Sequence, residues 1–88
     1  MAAFDLEIVT PEASIYSGQV TSLMVPGTDG LFQVLVNHAP IISTIGKGQL
    51  VLGQEKGGNV SFEVEGGVVE VMNNKAIVLA ERVVNPPA

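Results

Sequence analysis

Residues 62–81 read "FEVEGGVVEVMNNKAIVLAE", and this stretch decides the fold. Apolar and polar residues alternate along "FEVE" and again along "VEVM", the period of a strand with one face on a core and the other in solvent. Asn73 and Asn74 follow, and Asn tolerates the positive φ that a two-residue hairpin turn needs. The stretch therefore predicts a β-hairpin, whose returning strand "KAIVLAERVV" is apolar on both faces around residues 77–79.

The rest of the chain continues this pattern. "FDLEIVT" alternates in the same way, and further strand-like runs are "SIYSG", "VTSLMVP", "LFQVL" and "GQLVLGQ". Turn signals separate the runs: Pro11-Glu12, Pro26-Gly27, Asp29-Gly30, Gly57-Gly58, Gly66-Gly67 and Asn73-Asn74. We find no long window with a helical period. The prediction is an all-β fold, an antiparallel β-sandwich or flattened barrel of about 8–10 short strands.

Length and composition indicate one domain with an unusually apolar surface. The chain has 88 residues, 47% of them hydrophobic and 15% charged. This is enough for a single modest core. We expect the domain to span residues 1–84 and a short tail to occupy 85–88, where prolines end the last strand. So few charges predict that a partner covers part of the surface.

Charge and cysteine usage exclude several classes of protein. The net charge is −5, and the four cations (Lys47, Lys56, Lys75 and Arg82) are too dispersed to follow a nucleic-acid backbone. The chain has no cysteine, which excludes disulfides and thiolate metal sites. No apolar run reaches the ~20 residues that cross a bilayer, and "MAAFDLEIVT" lacks the cationic region of a secretory signal. We expect a cytosolic protein that does not insert into a membrane.

The sequence offers little chemistry. His38 is the single histidine, so a metal site would need carboxylates or a neighbouring subunit. There is no G-x-S-x-G motif for a nucleophile, and the glycines do not form the G-x-G-x-x-G phosphate-binding pattern. Most of the nine carboxylates fall on outward strand positions, where a solvated face is the ordinary outcome. We therefore expect no enzymatic activity, no cofactor and no metal.

Two functions of other classes are alternatives. Lys75 follows a predicted hairpin turn, as does the modified lysine of lipoyl and biotinyl carrier domains. Those domains place acidic residues or Met beside the lysine, whereas two Asn residues precede Lys75, which also suits an ordinary solvated turn lysine. A free-standing adaptor or carbohydrate-binding module is the other alternative. One Tyr, three Phe and no Trp leave few rings to stack on a sugar.

Four segments in order carry a resemblance to a known family. They are "LEIVTPEASIYSGQV" (6–20), "MVPGTDG" (24–30), "NHAPIIS" (37–43) and the stretch at 62–81. Together they resemble the N-terminal β-sandwich of the ε subunit of the rotary F-type ATP synthase, over about residues 4–84. The resemblance implies a non-catalytic central-stalk subunit that couples the γ subunit to the membrane rotor ring of c subunits. Ion-driven rotation would then power ATP synthesis, on the cytoplasmic side of a bacterial inner membrane.

The resemblance also implies roles for particular residues. Asp29, Gly30 and Leu31 in one loop, and His38 in another, match positions that face the rotor ring. The γ subunit is expected to contact a second set: Thr10, Ser43, Val78, Leu79 and Ala80. For His38 two compatible roles stay open: its imidazole contacts the ring, or it hydrogen-bonds within its own loop and holds that loop in shape.

The sequence departs from the family pattern in two ways. Leu31, Gln33 and Val36 stand where an acid, Gly and Pro are frequent in the family, so we expect a less rigid loop with more apolar contacts. Nothing after Val84 predicts a helix. The inhibitory helices and the ATP site of longer family members are therefore not expected here, whether the chain is naturally short or a truncated form.

Overall fold

The fold consists of strands joined by short turns. The computed structural model describes residues 3–55 and 57–84; the predicted tail at 85–88 lies outside these ranges. The seven strands are β1 (Phe4–Val9), β2 (Ser14–Val20), β3 (Ser22–Gly27), β4 (Gly30–Val34), β5 (Ile41–Gln54), β6 (Gly58–Met72) and β7 (Lys75–Val83). The described residues contain no helix.

All strands belong to one sheet that folds over on itself. The strand order is β2-β1-β7-β6-β5-β3-β4, so β2 and β3 lie far apart in the ladder. In the chain, however, Thr21 alone separates β2 from β3. The Thr21 amide donates to the Gly53 carbonyl oxygen at 2.8 Å, and the rings of Tyr16 and Phe62 meet edge to face at 6.3 Å. The sheet must therefore curl, which confirms the predicted sandwich or flattened barrel.

Glycines allow the two longest strands to bend. The pairing of β5 with β6 keeps one register throughout but has no pair at Gly46 and Gly66. Gly66 and Gly67 both have positive φ, at 77° and 135°. A Cβ on Gly67 would collide with the Leu79 carbonyl oxygen and the Ala80 backbone. Because of this bend, the first half of β5 and the second half of β6 lie in one layer, and their other halves lie in the second.

Three details of the sequence prediction were wrong. Gly66-Gly67 is a bend inside β6 and not a turn, so two predicted strands are one and the total is seven. Pro26-Gly27 lies within β3, at an irregularity in the β3–β5 register, and the turn itself falls at 28–29. The sheet is mixed because β1 pairs with β7 in parallel. No hairpin links these first and last strands, so no turn forces them to run antiparallel.

The core is apolar and shared by both layers. All seven strands contribute buried side chains, among them Leu6, Leu23, Leu50, Phe62 and Val78. The described residues bury no polar or charged side chain. Inward positions alternate with outward ones along each strand. The outward side chains of the two layers therefore lie on opposite sides of one dry core.

Candidate interaction surfaces

The outer face of the first layer is apolar and spans four strands. We call it the β7 face, and it comprises Val9, Ile42, Val68, Met72, Ile77 and Leu79. Ile42 is 71% exposed, Leu79 53% and Met72 48%. The strand alternation produces this face, because the neighbours of these residues, such as Val69 and Val78, are buried in the core. Adjacent apolar side chains exposed to this extent are typical of a surface that a partner covers.

Two carboxylates lie within the β7 face: Glu70, and Glu7 of β1, which pairs with Ile77 in the parallel ladder. Glu70 pairs with Ile42 on β5 and with Ile77 on β7, so apolar side chains flank it on both sides. Lys75 lies at the margin, at the start of β7 and beside Asp5 in the parallel ladder. The face is therefore mainly apolar, with two carboxylates among the apolar side chains and further charged groups at its margin.

The structure brings some of the residues expected to contact γ together and separates others. Thr10, Leu79 and Ala80 line one shallow groove of about 310 Å³, whose other walls are Val9, Pro11 and Glu81. Leu79 presents its side chain outward. Val78 and Ala80 are buried with their side chains in the core, because they alternate with Leu79 along β7. Side-chain contacts to a partner can therefore come from Leu79 and not from its two neighbours.

Ser43 occupies an intermediate position. It pairs with Val69 of β6, which is buried, so its side chain is on the inward side of β5. The Ser43 hydroxyl donates to the Thr44 carbonyl oxygen at 3.2 Å. Its neighbour Ile42 points outward and is the most exposed large apolar side chain of the described residues. Sequence reasoning missed Ile42, because the segment "IIST" does not alternate cleanly between apolar and polar residues.

A second apolar surface lies on the other layer. We call it the β4 surface, and it comprises Leu31, Gln33 and Leu35, which alternate with the core-facing Phe32 and Val34 along β4 and just beyond it. Leu31 is 66% exposed and Leu35 49%. Because β4 is an edge strand, one side of its backbone has no neighbouring strand among the described residues.

The residues expected to face the ring lie at opposite ends of β4. Asp29 lies in the turn that precedes β4, and Gly30, with φ 135°, is the first residue of the strand. His38 lies in the loop of residues 35–40 that follows β4, which we call the His38 loop. Five residues at about 3.3 Å each separate the two ends by ~15 Å. Leu31 and Leu35 of the β4 surface join them, so the expected ring contacts form one elongated strip.

The two ends of this strip are fixed by hydrogen bonds. The Thr28 and Thr44 hydroxyl oxygens lie 2.6 Å apart, and the Thr28 amide donates to the Thr44 carbonyl oxygen at 3.1 Å. At the other end, the Asn37 amide donates to Asn74 Oδ1 at 2.7 Å. The turn is thus attached to β5 and the His38 loop to the turn between β6 and β7.

His38 is bonded within its own loop. Its amide donates to the Leu35 carbonyl oxygen at 3.2 Å, and Nδ1 lies 2.7 Å from the Ala39 carbonyl oxygen. Since a carbonyl oxygen can only accept, Nδ1 carries the proton in this arrangement. In the neutral ring Nε2 is then an acceptor. This hydrogen bond agrees with the expected role of His38 in holding its loop in shape. Nε2 does not take part in the bond.

Ionisable groups form no metal cluster within residues 3–55 and 57–84, where no three His, Cys, Asp or Glu side chains come together. Glu65 lies 3.8 Å from Lys47 and 3.6 Å from Arg82 in exposed ion pairs. In the same part of the chain, no helix is long and apolar enough to pass through a bilayer.

Comparison with known proteins gives a consistent family assignment. The family described as "ATP synthase, Delta/Epsilon chain, beta-sandwich domain" matches residues 3–86. The ATP synthase epsilon chain of Chlorobium limicola is 47% identical over 81 residues, which cover 92% of each chain. That of Leptospira borgpetersenii is 42% identical over 78 residues, 88% of this chain and 60% of the relative. The chain thus spans nearly all of one relative and three fifths of the other.

Solved structures with the same fold come from ATP synthases. A chain in the OSCP/F1/c-ring structure of the Euglena gracilis mitochondrial ATP synthase aligns with a TM-score of 0.88 at 19% identity, covering 96% of this chain and 54% of that one. A chain in the central stalk/c-ring structure of the Tetrahymena thermophila mitochondrial ATP synthase aligns with a TM-score of 0.76 at 13% identity, covering 92% and 65%. At these identities the likeness concerns the fold.

Proposed function

Since the chain belongs to the family of the β-sandwich domain of ATP synthase delta and epsilon chains, we propose that it is a central-stalk subunit of an F-type ATP synthase. It couples the γ subunit to the membrane rotor ring, so that both turn together. The match to the ATP synthase epsilon chain of Chlorobium limicola over nearly the whole length supports the assignment to such a subunit.

The observation that carries the proposal is a pair of apolar surfaces on opposite sides of one body. The β7 face and the β4 surface belong to different layers, and their inward neighbours share a single core. A subunit that transmits torque must bind two neighbours at once, at separate places. A single binding site would make the domain an adaptor for one partner.

The fold also suits a mechanical role. Ladder hydrogen bonds join the strands in the order β2-β1-β7-β6-β5-β3-β4, and the curled sheet encloses one core. The interior is filled with apolar side chains, and packed protein interiors are nearly incompressible. Such a body transmits a twisting force with little deformation. This function needs no catalytic group, so the proposed subunit is non-catalytic and the nucleotide chemistry belongs to other subunits.

We assign the γ subunit to the β7 face. This face is the broader of the two, extends over four strands and includes Leu79 and the groove with Thr10, both expected to contact γ. A lasting contact between rotor subunits is best made by a wide apolar interface, as in obligate complexes. In this assignment Ser43, Val78 and Ala80 support the face from within.

We assign the rotor ring to the β4 surface and its two ends. Leu31 and Leu35 offer apolar contact, while Asp29 and His38 offer hydrogen-bonding groups at either end. Nε2 of His38, which the bond from Nδ1 to Ala39 does not use, can accept a hydrogen bond from a polar group of the ring. We further propose that the subunit lies peripherally, on the cytoplasmic side of a bacterial inner membrane.

Two charge substitutions test the assignment, and each serves as the control for the other. Leu79→Asp places a carboxylate on the β7 face, and Leu35→Asp does so on the β4 surface. The chain is co-expressed with γ and the ring of its own organism. We expect Leu79→Asp to weaken binding to γ by ~30-fold or more, because it buries a charge at the interface centre. Leu35→Asp should leave γ binding within about twofold but reduce retention of the ring by the γ complex.

Different outcomes reject different parts of the proposal. If the wild-type chain does not co-purify with γ in mild salt, the stalk function is wrong. If both variants weaken γ binding equally, the two surfaces are not separate. Circular dichroism and a urea titration establish that each variant stays folded. Both substitutions are at exposed positions, so the fold should tolerate them.

A further inference from the structure

Three residues other than glycine have positive φ among those described, and all are Asn: Asn37 at 63°, Asn73 at 53° and Asn74 at 62°. Asn adopts this conformation at a smaller cost than most residues, but still less readily than Gly. Asn73 and Asn74 form the two-residue turn between β6 and β7, and positive φ at both positions is the type I′ geometry. The second position of such a turn usually favours Gly. The Asn at position 74 therefore needs another reason.

The contacts of Asn74 supply one. Its Oδ1 accepts from the Asn37 amide at 2.7 Å, and its Nδ2 lies 3.4 Å from the Ala3 carbonyl oxygen. Its own carbonyl oxygen accepts from the Asp5 amide at 3.2 Å. One residue thus joins the β6–β7 turn, the start of β1 and the His38 loop. The Asn37 bond links positions 37 residues apart in the chain.

The bond matters because the His38 loop is otherwise held largely by itself. The two hydrogen bonds of His38 end on Leu35 and Ala39, within the loop. Val36 packs against the core and supplies an apolar anchor. The Asn37–Asn74 bond sets where the residue next to His38 lies relative to β7, the strand that carries Leu79. It therefore connects the expected ring contact to the β7 face.

We propose that Asn74 is a positioning residue, which holds the His38 loop in the place from which it contacts the rotor ring. The role of this loop in coupling rests on the proposed function, whereas the attachment itself concerns the isolated chain. Asn74 acts through Asn37 and touches no partner. A residue that served the turn alone would be replaced by Gly without loss.

Replacement by Gly separates these roles. Asn74→Gly favours the type I′ turn but removes the side chain that binds the His38 loop. Asn73→Gly is the matched control, because it makes the same change at the other turn position, whose side chain is exposed and makes none of the hydrogen bonds described above. Asn74→Asp keeps an oxygen for the Asn37 amide and loses the donor toward Ala3. All three substitutions tolerate positive φ.

The first measurement is amide hydrogen exchange in the full chain, followed by NMR. We expect the Asn37 amide to exchange about five- to tenfold faster in Asn74→Gly, the effect of losing one hydrogen bond. In Asn73→Gly and Asn74→Asp it should stay within about twofold of the wild type. Equal exchange in Asn74→Gly and Asn73→Gly would overturn the proposal. If Asn74→Gly does not fold, Asn74→Asp decides the question. Exchange of the Asn37 amide as fast as predicted for a lost hydrogen bond would then overturn the proposal.

The second measurement is ATP-driven ion pumping by the reconstituted synthase that contains the chain. We expect Asn74→Gly to lower the number of ions pumped per ATP about as much as His38→Ala does, and Asn73→Gly to leave it unchanged. Unchanged pumping despite a released loop would overturn the positioning role. If the wild-type chain itself fails to couple, the proposed function is wrong, and the exchange result still decides whether Asn74 holds the loop.

Discussion

The β7 face and the β4 surface are both apolar, but they are built in different ways. Each side chain of the β7 face stands on a strand inside a continuous ladder, from β1 through β7 and β6 to β5. The β4 surface stands on one edge strand, between a turn and a loop. Its ends are fixed by the Thr28–Thr44 contact and by the Asn37–Asn74 bond.

This difference separates two kinds of preorganisation. The β7 face is shaped by the sheet itself, so it should persist as long as the protein is folded. The ends of the β4 surface depend on a few hydrogen bonds, each worth ~1 kcal/mol in a folded protein. Substitutions behind the β4 surface can therefore displace its ends without unfolding the chain. We expect no substitution to displace the β7 face in this way while the chain stays folded.

The substitution with the largest expected effect disturbs both surfaces at once. Gly67→Ala introduces a Cβ at φ 135°, where it collides with the Leu79 carbonyl oxygen, at the bend that sets the two layers against each other. We expect a loss of ~2–4 kcal/mol in the free energy of unfolding, from backbone strain plus displacement of β7. A urea titration measures this loss. Binding to γ and to the ring should fall in parallel.

Gly30→Ala is the matched control for this bend. Gly30 has the same φ of 135°, but no atom outside Gly30 and its two chain neighbours lies within 4 Å of the place that a Cβ would occupy there. The variant therefore reports the backbone strain alone, expected at ~1–2 kcal/mol. If the two variants lose equal stability, the contact with β7 contributes nothing and the bend is not a packed feature. The γ-binding affinity of folded Gly30→Ala should equal that of the wild type.

A smaller effect distinguishes the two surfaces. His38→Ala removes a side chain whose hydrogen bond stays within its own loop. We expect a stability loss of ~1 kcal/mol or less, because one exposed hydrogen bond is lost. Ring coupling, measured as ions pumped per ATP in the reconstituted synthase, should decrease while γ binding stays unchanged. A large drop in melting temperature together with lost γ binding would instead make His38 a structural residue of the whole domain.

The sequence predicted the fold class well, because alternation and turn residues are local signals. Phe62 and Val64 face inward and Asn73-Asn74 form the turn, as expected. The bend at Gly66-Gly67 uses the same residues as a hairpin turn, and only the pairing on both sides of it reveals a continuous strand. The parallel pairing of β1 with β7 is equally non-local. Neither feature has a signal within a short window.

The surfaces were harder to predict than the fold. Apolar residues on both faces of "KAIVLAERVV" hid which of residues 78–80 points outward, and the ladder with β6 resolves it in favour of Leu79. Leu35 follows Leu31 at a strand period, so its exposure could have been predicted. The bond between Asn37 and Asn74 could not, since it depends on where the loop arrives in three dimensions.

The smallest expected effect concerns a charged region outside both surfaces. Glu65 lies beside the bend, 3.8 Å from Lys47 and 3.6 Å from Arg82, and both cations are largely exposed. Exposed ion pairs contribute ~0–1 kcal/mol, and salt screens them. Glu65→Gln should therefore lower the free energy of unfolding by less than ~1 kcal/mol, and the difference should shrink in about 1 M salt. Lys47→Gln and the double variant complete a mutant cycle that isolates the pair.

A loss of stability as large as that of Gly67→Ala, with little dependence on salt, would mean that charge and not the glycine backbone holds the bend. In that case the position of the β7 face relative to the β4 surface would depend on electrostatics.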